Sequence, residues 1–284
     1  NDRLPTFDRD PKGLASRDSA GKALNALAAR IPWLIGGAAD LSPSTKTDLT
    51  HYGSFQANNP SGRTLHFGVR EHAMGAIANG MALSYLRPFT ATFLVFADYM
   101  RAPVRLAAIM ELPVTFVFTH DSIGVGEDGP THQPVEHATS LRAMTGLDVF
   151  RPADANETVG AWKAVIEADG PTALLLTRQD VPVLAGTTNY EAVACGGYVL
   201  SDCDGTPDVV LVGTGSEVQL ALEAMAVLSK AGRSVRVVSM PCTDRFAAQN
   251  ADYRASVLPP GVPSVSVEAG VTFGWASWVD VSVG

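Results

Sequence analysis

The feature that most constrains this chain is the alternation of short apolar runs with segments of helical periodicity. The apolar runs lie at 33–37, 64–67, 89–95, 114–119, 149–151 and 173–176. The helical patterns lie at 19–30, 71–86, 98–111, 136–145 and 154–168. Strands that are apolar throughout and alternate with helices predict a parallel sheet covered by helices on both faces. The expected fold class is therefore α/β.

The alternation also predicts where a ligand would bind. In open α/β sheets, ligands bind at the carboxyl ends of the strands. The segments that follow predicted strands are 36–45, 68–71, 95–99 and 120–134. These segments are where functional side chains are expected.

Composition and pattern suggest two domains. Residues 1–13 are a polar, proline-bearing N-terminal segment, and the first α/β domain is expected at 14–178. The pattern breaks in 179–193, which we interpret as an interdomain connection. A smaller α/β unit at 194–284 follows and looks unfinished. Its predicted elements are strands at 209–212, 235–239 and 264–267 and a helix at 217–231.

Charge and hydropathy exclude several classes of protein. A net charge of −8 without a Lys/Arg cluster argues against a nucleic-acid surface, so any anionic ligand must be held by a few placed cations. No apolar run reaches the roughly 20 residues that a membrane span needs. The three cysteines are widely spaced and suit a reducing compartment. A cytoplasmic location is expected.

A glycine-punctuated turn at 67–75 places Glu71 at the start of an apolar helix. From 73 to 85 only two residues are polar, so this helix is expected to be buried on nearly every side. A carboxylate there is either neutralised by Arg70 or His72 and favoured by the helix dipole, or kept for chemistry. This window alone leaves both interpretations open.

Three aromatic residues follow a predicted strand at intervals of three: Phe93, Phe96 and Tyr99. Rings at that spacing could line one wall of a pocket and stack on a flat heterocycle. For an isolated triplet, plain core packing is the preferred interpretation.

The loop at 120–134 has three glycines, two histidines and no apolar core of its own, so it needs an external reason to be ordered. It lacks the ending of a phosphate-binding P-loop and the ligand spacing of zinc or EF-hand sites. Histidines in such a loop suit hydrogen bonding and proton transfer near neutral pH. The turn at 213–217 lacks the third glycine of a dinucleotide fingerprint and is interpreted as a tight βα turn.

Taken together, these motifs resemble transketolase. The resemblance is carried by Phe-Gly-Val-Arg-Glu-His at 67–72, Gly-Gly-Ala-Ala-Asp-Leu-Ser-Pro-Ser at 36–44, the aromatic triplet and the 120–134 loop. It runs from about 14 to 178, which corresponds to the family's pyrimidine-binding domain. It continues more weakly into the family's C-terminal domain.

The resemblance implies thiamine diphosphate as cofactor. Its aminopyrimidine must reach an imino tautomer, and a carboxyl group bonded to the ring nitrogen drives that change. Glu71 would be that group. Phe93, Phe96 and Tyr99 would wall the pyrimidine, with Phe96 at the stacking position, and Asp40 would lie near the thiazolium.

The resemblance further implies transfer of a two-carbon ketol unit from a ketose phosphate, such as xylulose 5-phosphate, to an aldose phosphate, as in the pentose phosphate pathway. Arg17, Ser44, His120 and Arg178 match positions that hold the sugar-phosphate end, and His120 is also a catalytic candidate. His132 matches a catalytic residue that acts on substrate hydroxyls and the developing oxyanion, and Asp128 one that binds a sugar hydroxyl. The local alternatives are solvated charges for the two arginines and a turn or cap role for the serine.

One part of the family pattern is missing. Transketolases hold the diphosphate through Mg²⁺ or Ca²⁺ at a Gly-Asp-Gly…Asn motif on an N-terminal domain, and no Gly-Asp-Gly occurs here. The family's site lies between that domain of one subunit and the pyrimidine domain of another, so the resemblance implies a homodimer in which this chain carries half a site. The chain is then a piece of a longer protein, the smaller subunit of a split enzyme, or incomplete. The early stop after Trp278 favours a piece.

Two alternatives stay open. A related thiamine enzyme, dihydroxyacetone synthase or the β subunit of a 2-oxoacid dehydrogenase, would share the motifs, although the Arg and His set favours sugar phosphates. A non-catalytic binding or regulatory subunit would keep the fold without the metal-binding half.

Overall fold

The computed structural model describes residues 4–284, so the first three residues of the N-terminal segment lie outside the described part. The α-helices are α1 (Ser16–Ala28), α2 (Ser42–Thr45), α3 (Glu71–Leu83), α4 (Ala97–Ile109), α5 (His137–Arg142), α6 (Ala155–Glu167), α7 (Tyr190–Ala194), α8 (Val218–Lys230), α9 (Thr243–Ala247) and α10 (Ala251–Val257). The strands are β1 (Asp10–Ala15), β2 (Leu34–Ala38), β3 (Thr64–His66), β4 (Arg87–Phe93), β5 (Thr115–Thr119), β6 (Asp148–Phe150), β7 (Thr172–Leu176), β8 (Asp180–Val183), β9 (Tyr198–Ser201), β10 (Val209–Gly213), β11 (Val235–Ser239), β12 (Ser264–Val267) and β13 (Val281–Val283).

The first domain is built on a six-stranded sheet in the order β3-β2-β4-β5-β7-β6. Every neighbouring pair in it is parallel. Each strand and helix predicted between residues 19 and 176 is present, with its ends within three residues of the expected position. The α/β class and the parallel sheet are confirmed.

Helices cover both faces of this sheet because successive strand residues point to opposite sides. Val117 and Leu174 pack with α1 and α6, around the fully buried Trp162. Phe116 and Leu175, one residue away, pack with α3 and α4 on the other face. The apolar runs of the sequence therefore become strands that are buried on both sides.

Strands that were not predicted lie on either side of the first domain. Strand β1 begins in the polar N-terminal segment and pairs antiparallel with β8. Residues 179–193, interpreted as a connection, contain β8 and the start of α7. The pairing brings both ends of the first domain together.

The second unit is a five-stranded sheet in the order β13-β12-β10-β11-β9. Its three predicted strands and its predicted helix, α8, are present. Strands β9 and β13 were not predicted, and β9 runs antiparallel to β11. Tyr198 and Cys242 of this unit pack into the core on the α1 and α6 face, so the two units share buried surface.

Within residues 4–284, no helix is both long enough and apolar enough to span a bilayer.

Candidate active site

The polar segments predicted to carry function meet at the carboxyl edge of the first sheet. The Arg17 guanidinium, at the start of α1, donates to the backbone oxygen of Ser44 at 2.9 Å and lies 3.4 Å from His120 Nε2. Asp128 of the 120–134 loop lies 3.7 Å from the same imidazole nitrogen and 3.7 Å from Arg178, which follows β7. Loops after three different strands therefore contribute to one cluster.

Aromatic rings form a wall beside this cluster. Phe93 and Phe96 stack with centroids 5.9 Å apart and planes inclined by 13°. Tyr99 lies 6.1 Å from Phe96, and its side chain is exposed. His132 approaches Phe96 edge-on at 5.5 Å. The triplet thus lies beside the histidine loop, with Phe93 buried and Phe96 half-buried.

His120 is the most constrained residue of the site. Its ring lies 3.7 Å from the Phe93 ring, centroid to centroid, and its backbone has a φ of 60°, in the left-handed region that few non-glycine residues adopt. Its Nδ1 atom lies 2.9 Å from Thr119 Oγ1. Because arginine can only donate, Nε2 is the acceptor toward Arg17, so Nδ1 carries the proton and donates to Thr119.

Burial lowers the pKa of His120 to about 4, and the charge of Arg17 adds to that effect. The imidazole is therefore neutral at neutral pH. Its single Nε2 lone pair faces Arg17 at 3.4 Å, so a hydroxyl group could donate to this atom only in place of that guanidinium.

The two arginines give the cluster its positive charge. Burial lowers the pKa of Arg17, and the charge of Arg178 contributes to the lowering. Arg178 is partly exposed and pairs with Glu127 at 3.4 Å. The two guanidiniums carry the hydrogen-bond donors that an anion accepts, and the carboxylates of Glu127 and Asp128 lie against Arg178 at 3.4 and 3.7 Å.

Ser44 enters the site through its backbone carbonyl, which accepts from Arg17. Its side chain is not among the hydrogen-bonded side chains of the described residues. The half-buried serine sits in the short helix α2, and its carbonyl orients Arg17.

Glu71 occupies the first turn of α3, where the helix dipole favours a carboxylate. Its residue surface is 7% exposed. Neither neighbour pairs with it: Arg70 donates to the carbonyl of Phe67 at 3.2 Å, and His72 is exposed. Among the residues that the structure describes, no ion pair or side-chain hydrogen bond neutralises this carboxylate, so the interpretation of local pairing is wrong.

The packing of α3 on α4 sets the level of Glu71. Asn79 donates to the backbone oxygen of Pro103 at 2.9 Å, and Gly75 faces Pro103 and Met100. Both helices run away from the carboxyl edge. Glu71 lies one helical turn before Gly75, and Ala97, the first residue of α4, lies about one turn before Met100. The two helices therefore begin side by side, and α4 directly follows Phe96.

Asp40 follows β2 at the same edge and is exposed, with a φ of 59°. No hydrogen bond or ion pair joins it to the ring and arginine cluster in the described part of the chain. The structure thus brings the rings, histidines, arginines and Asp128 into contact, whereas Asp40 and Glu71 stand on their own at the same edge.

Sequence reasoning missed two features of this region. Thr119 holds the Nδ1 atom of His120, and Asp121, the next residue after the histidine, is buried and bonded to Arg151 at 2.8 Å. The sequence did carry one indication of the second feature. Arg151 directly follows the apolar run that forms β6, and an arginine buried beside such a strand requires acidic or carbonyl partners.

A metal site is not apparent on this surface. No group of three or more His, Cys, Asp or Glu side chains that could hold a metal ion occurs in the part of the chain that the structure describes.

Comparisons with known proteins agree with the motifs. A family model described as the transketolase pyrimidine-binding domain matches residues 12–183, and one described as the transketolase-like C-terminal domain matches residues 196–284. The transketolase of Halalkalibacterium halodurans is 53% identical over 273 residues, which cover 94% of this chain and 41% of that protein. This chain therefore spans about two fifths of the length of that relative.

Solved structures give the same result. A transketolase from Pichia stipitis in complex with sedoheptulose 7-phosphate superposes with a TM-score of 0.96 and 43% identity, covering 100% of this chain and 43% of that one. A split-gene transketolase, solved as an inactive β4 tetramer, superposes with a TM-score of 0.76 and 29% identity. In that case 92% of this chain and 81% of the other are covered.

Proposed function

This chain belongs to the transketolase family, and on that premise we propose that it supplies the pyrimidine pocket, the catalytic carboxyl group and the substrate-phosphate contacts of a transketolase. The reaction is transfer of a two-carbon ketol unit from a ketose phosphate, such as xylulose 5-phosphate, to an aldose phosphate. The observation that carries the proposal is the meeting of two arginines and a neutral histidine beside an aromatic wall. We assign residues 14–178 to the pyrimidine-binding domain, 179–193 to the connection and 194–284 to the C-terminal domain.

The residues present fit the aminopyrimidine of thiamine diphosphate. An aromatic wall is available for stacking, and Glu71, whose carboxyl group has no side-chain partner among the described residues, begins the helix that packs against α4. When bound, thiamine diphosphate supplies the carbon nucleophile that accepts and passes on the ketol unit. Phe96 would stack on the ring, Phe93 and Tyr99 would exclude water, and Asp40 would lie toward the thiazolium.

Glu71 would hold the proton that the pyrimidine nitrogen shares. A carboxyl group does this only if water and local cations do not compete for it. Its low exposure and the absence of pairing with Arg70 or His72 support the role.

The phosphate of the sugar would be bound by Arg17 and Arg178, with the Ser44 carbonyl orienting the first of them. His120, neutral and hydrogen-bonded through Nδ1, would accept a hydrogen bond from a sugar hydroxyl group at Nε2 once Arg17 turns to the phosphate. Asp128 would bind a sugar hydroxyl, and His132 would act on hydroxyls and the developing oxyanion beside Phe96. The sugar phosphate held by the Pichia stipitis relative supports this class of substrate.

The remaining half of the site would come from the N-terminal domain of a partner subunit, which would hold the diphosphate through Mg²⁺ or Ca²⁺. Large apolar side chains exposed along α3 and α4 support a protein contact on these two helices. They are Ile77, Leu83, Leu106 and Ile109. We propose a homodimer of the complete protein, located in the cytoplasm and acting in the pentose phosphate pathway. The inactive tetramer of the split-gene relative is consistent with a chain of this kind needing a second component.

The decisive experiment replaces Glu71 with glutamine in the complete assembly with thiamine diphosphate and Mg²⁺. We expect affinity for the cofactor to stay roughly intact and turnover to fall by about two to four orders of magnitude, because only proton transfer is removed. Steady-state kinetics with xylulose 5-phosphate measures turnover, and fluorescence titration measures cofactor affinity. The control is Glu111→Gln, an exposed glutamate after α4. Near-normal turnover of Glu71→Gln would remove this residue from the mechanism.

A further inference from the structure

Arg151 is a fully buried charge between the two domains. It follows β6 of the first sheet, and its side chain is 1% exposed. Its backbone is tied to the second unit as well, since its N–H donates to Pro241 at 2.7 Å and its carbonyl accepts from Gly215 at 3.0 Å. A guanidinium in such a place is held by the groups around it.

The guanidinium joins a carboxylate of the first domain to two of the second. Its Nε atom donates to Asp121 Oδ2 at 2.8 Å. Its Nη1 atom donates to the carboxylate of Glu217, to the carbonyl of Thr214 at 3.1 Å and to Glu268 Oε1 at 3.5 Å. The same side chain thus bridges the histidine loop and the second sheet.

The two carboxylates of the second unit are themselves anchored. Glu217 accepts from Ser216 Oγ at 2.5 Å and from the backbone N–H of Ala269 at 3.0 Å. Glu268 accepts hydrogen bonds from both terminal nitrogens of Arg142, at 2.7 and 2.9 Å, and from the indole N–H of Trp275 at 2.7 Å. Arg151 is therefore fixed from the second domain.

Asp121 has less support. Its Oδ1 atom has no hydrogen-bond partner within residues 4–284, so the bond to Arg151 is the side-chain hydrogen bond that holds it. Burial raises the pKa of Asp121, and the charge of Arg151 opposes that rise. Without the guanidinium, this carboxylate would be a buried unpaired charge.

Asp121 directly follows His120, which has a left-handed backbone. A strained backbone persists only where its surroundings hold it in place. The histidine ring itself touches Phe93, Thr119 and Arg17, and none of these contacts fixes the peptide that leads into Asp121.

We propose that Arg151 is a positioning residue for His120: anchored by Glu217 and Glu268 of the second domain, it holds the Asp121 carboxylate and thereby fixes the imidazole that precedes it. The second domain then acts on the candidate site without contributing a side chain to it. The kinetic consequence rests on the function proposed above, whereas the effect on the ring does not.

The test measures exposure of individual histidines in the complete protein. Diethyl pyrocarbonate modifies neutral imidazoles, and mass spectrometry of peptides gives a rate for each one. In Arg151→Met we expect the modification rate at His120 to rise at least about fivefold. This factor corresponds to the smallest free-energy penalty expected for leaving the buried Asp121 carboxylate without its partner. His137, equally buried in the same domain, should keep its rate, and His51 and His72, both exposed, serve as references.

The matched control is Arg245→Met. Arg245 also crosses from the second unit to β6, where it pairs with Asp148 at 2.5 Å, but it does not touch Asp121. It should leave the His120 rate unchanged. Arg151→Lys keeps the positive charge but loses the planar guanidinium group that donates to several partners at once. This variant should give a His120 modification rate between those of the wild type and Arg151→Met.

The outcomes separate the alternatives. A rise at His120 alone supports the positioning role. An unchanged His120 rate in folded Arg151→Met, or an equal rise at His137, overturns it. If Arg151→Met does not fold, Glu217→Gln is measured in its place, and an unchanged rate at His120 in that variant overturns the proposal as well.

The kinetic arm uses the pH profile. The groups that face His120 are Arg17, Asp128, His132 and Arg178, and none of them is altered in Arg151→Met. A loosened His120 should titrate nearer 6.5, so the acid limb of kcat/KM for a phosphorylated donor should lie at higher pH than in the wild type. If no ketol transfer is found in the wild type while the His120 rate still responds, the positioning role stands and the function proposed above fails.

Discussion

Single side chains of the candidate site are held away from their ordinary states. His120 combines a lowered pKa with a left-handed backbone, and Asp40 shares that backbone conformation. Arg17 is partly desolvated beside a second guanidinium, so its pKa is lowered. Such states are maintained by the surrounding fold, and they cluster where a protein binds or transforms a ligand.

Arg178 offers a test of the phosphate site at this scale. Arg178→Ala removes one of the two guanidiniums, so we expect KM for phosphorylated sugars to rise about tenfold to a hundredfold, the range for loss of a charge-assisted bond. KM for unphosphorylated ketol donors should change much less. Steady-state kinetics of the complete enzyme with both kinds of donor makes the comparison.

The control for this variant is Arg233→Ala, which removes an exposed arginine from the second unit. It should change neither KM. Equal effects of Arg178→Ala on both classes of donor would refute a phosphate role.

At the level of elements, the pair α3 and α4 decides how Glu71 and the aromatic wall face each other. The helices approach closely at Gly75, where a Cβ atom would lie 2.8 Å from Pro103 Cγ and 3.1 Å from Met100 Cγ. A proline ring cannot rotate away, so the contact depends on the missing side chain.

Gly75→Ala should therefore destabilise the fold. Overpacking a core contact typically costs about 1–3 kcal/mol, which outweighs the roughly 0.5–1 kcal/mol that alanine adds in a helix. Urea unfolding measures the difference. Gly80→Ala in the same helix has no atom within 4 Å of the new Cβ and should stabilise by roughly 0.5–1 kcal/mol. The idea of close packing fails if both variants stabilise the protein.

Elements also show how far the sequence predicts this fold. Strands such as β5 and β7 are apolar runs with clear boundaries, and their pattern alone identifies them. Strands β1 and β8 carry Asp, Pro and Lys, and they form only because the fold brings 10–15 against 180–183. A pairing across that separation leaves no local signal in either segment.

At the level of the whole molecule, buried polar contacts join the two units. Arg151 and Glu157 of the first domain both bond to groups of the second. Motifs in the sequence suggested the candidate site residues, but no motif indicated this junction, since its partners are distant in sequence and none of them belongs to a recognisable pattern. Glu217, interpreted as part of a tight turn, is an example: the turn is present, and its carboxylate holds Arg151.

The junction at Glu157 should make stability depend on pH. Its carboxyl group accepts from Tyr198 at 2.7 Å, from Ser239 at 2.5 Å and from the backbone of Ala153 at 2.7 Å. Burial raises its pKa to about 7, and the charge of Asp154 adds to the rise. Because the folded pKa lies above the unfolded value of 4.5, the linked stability is present below pH 4.5 and is lost as pH rises through 7.

Glutamine does not titrate, so Glu157→Gln should abolish this dependence. The free energy of unfolding of the wild type minus that of the variant should shrink by on the order of 2–3 kcal/mol between pH 4.5 and pH 8. Urea unfolding across this range measures it, and contributions of all other groups cancel in the difference. Glu167→Gln, at an exposed end of α6, should show a constant difference from the wild type. A constant difference for Glu157→Gln too would mean that the pKa of this carboxyl group is not raised in the folded protein.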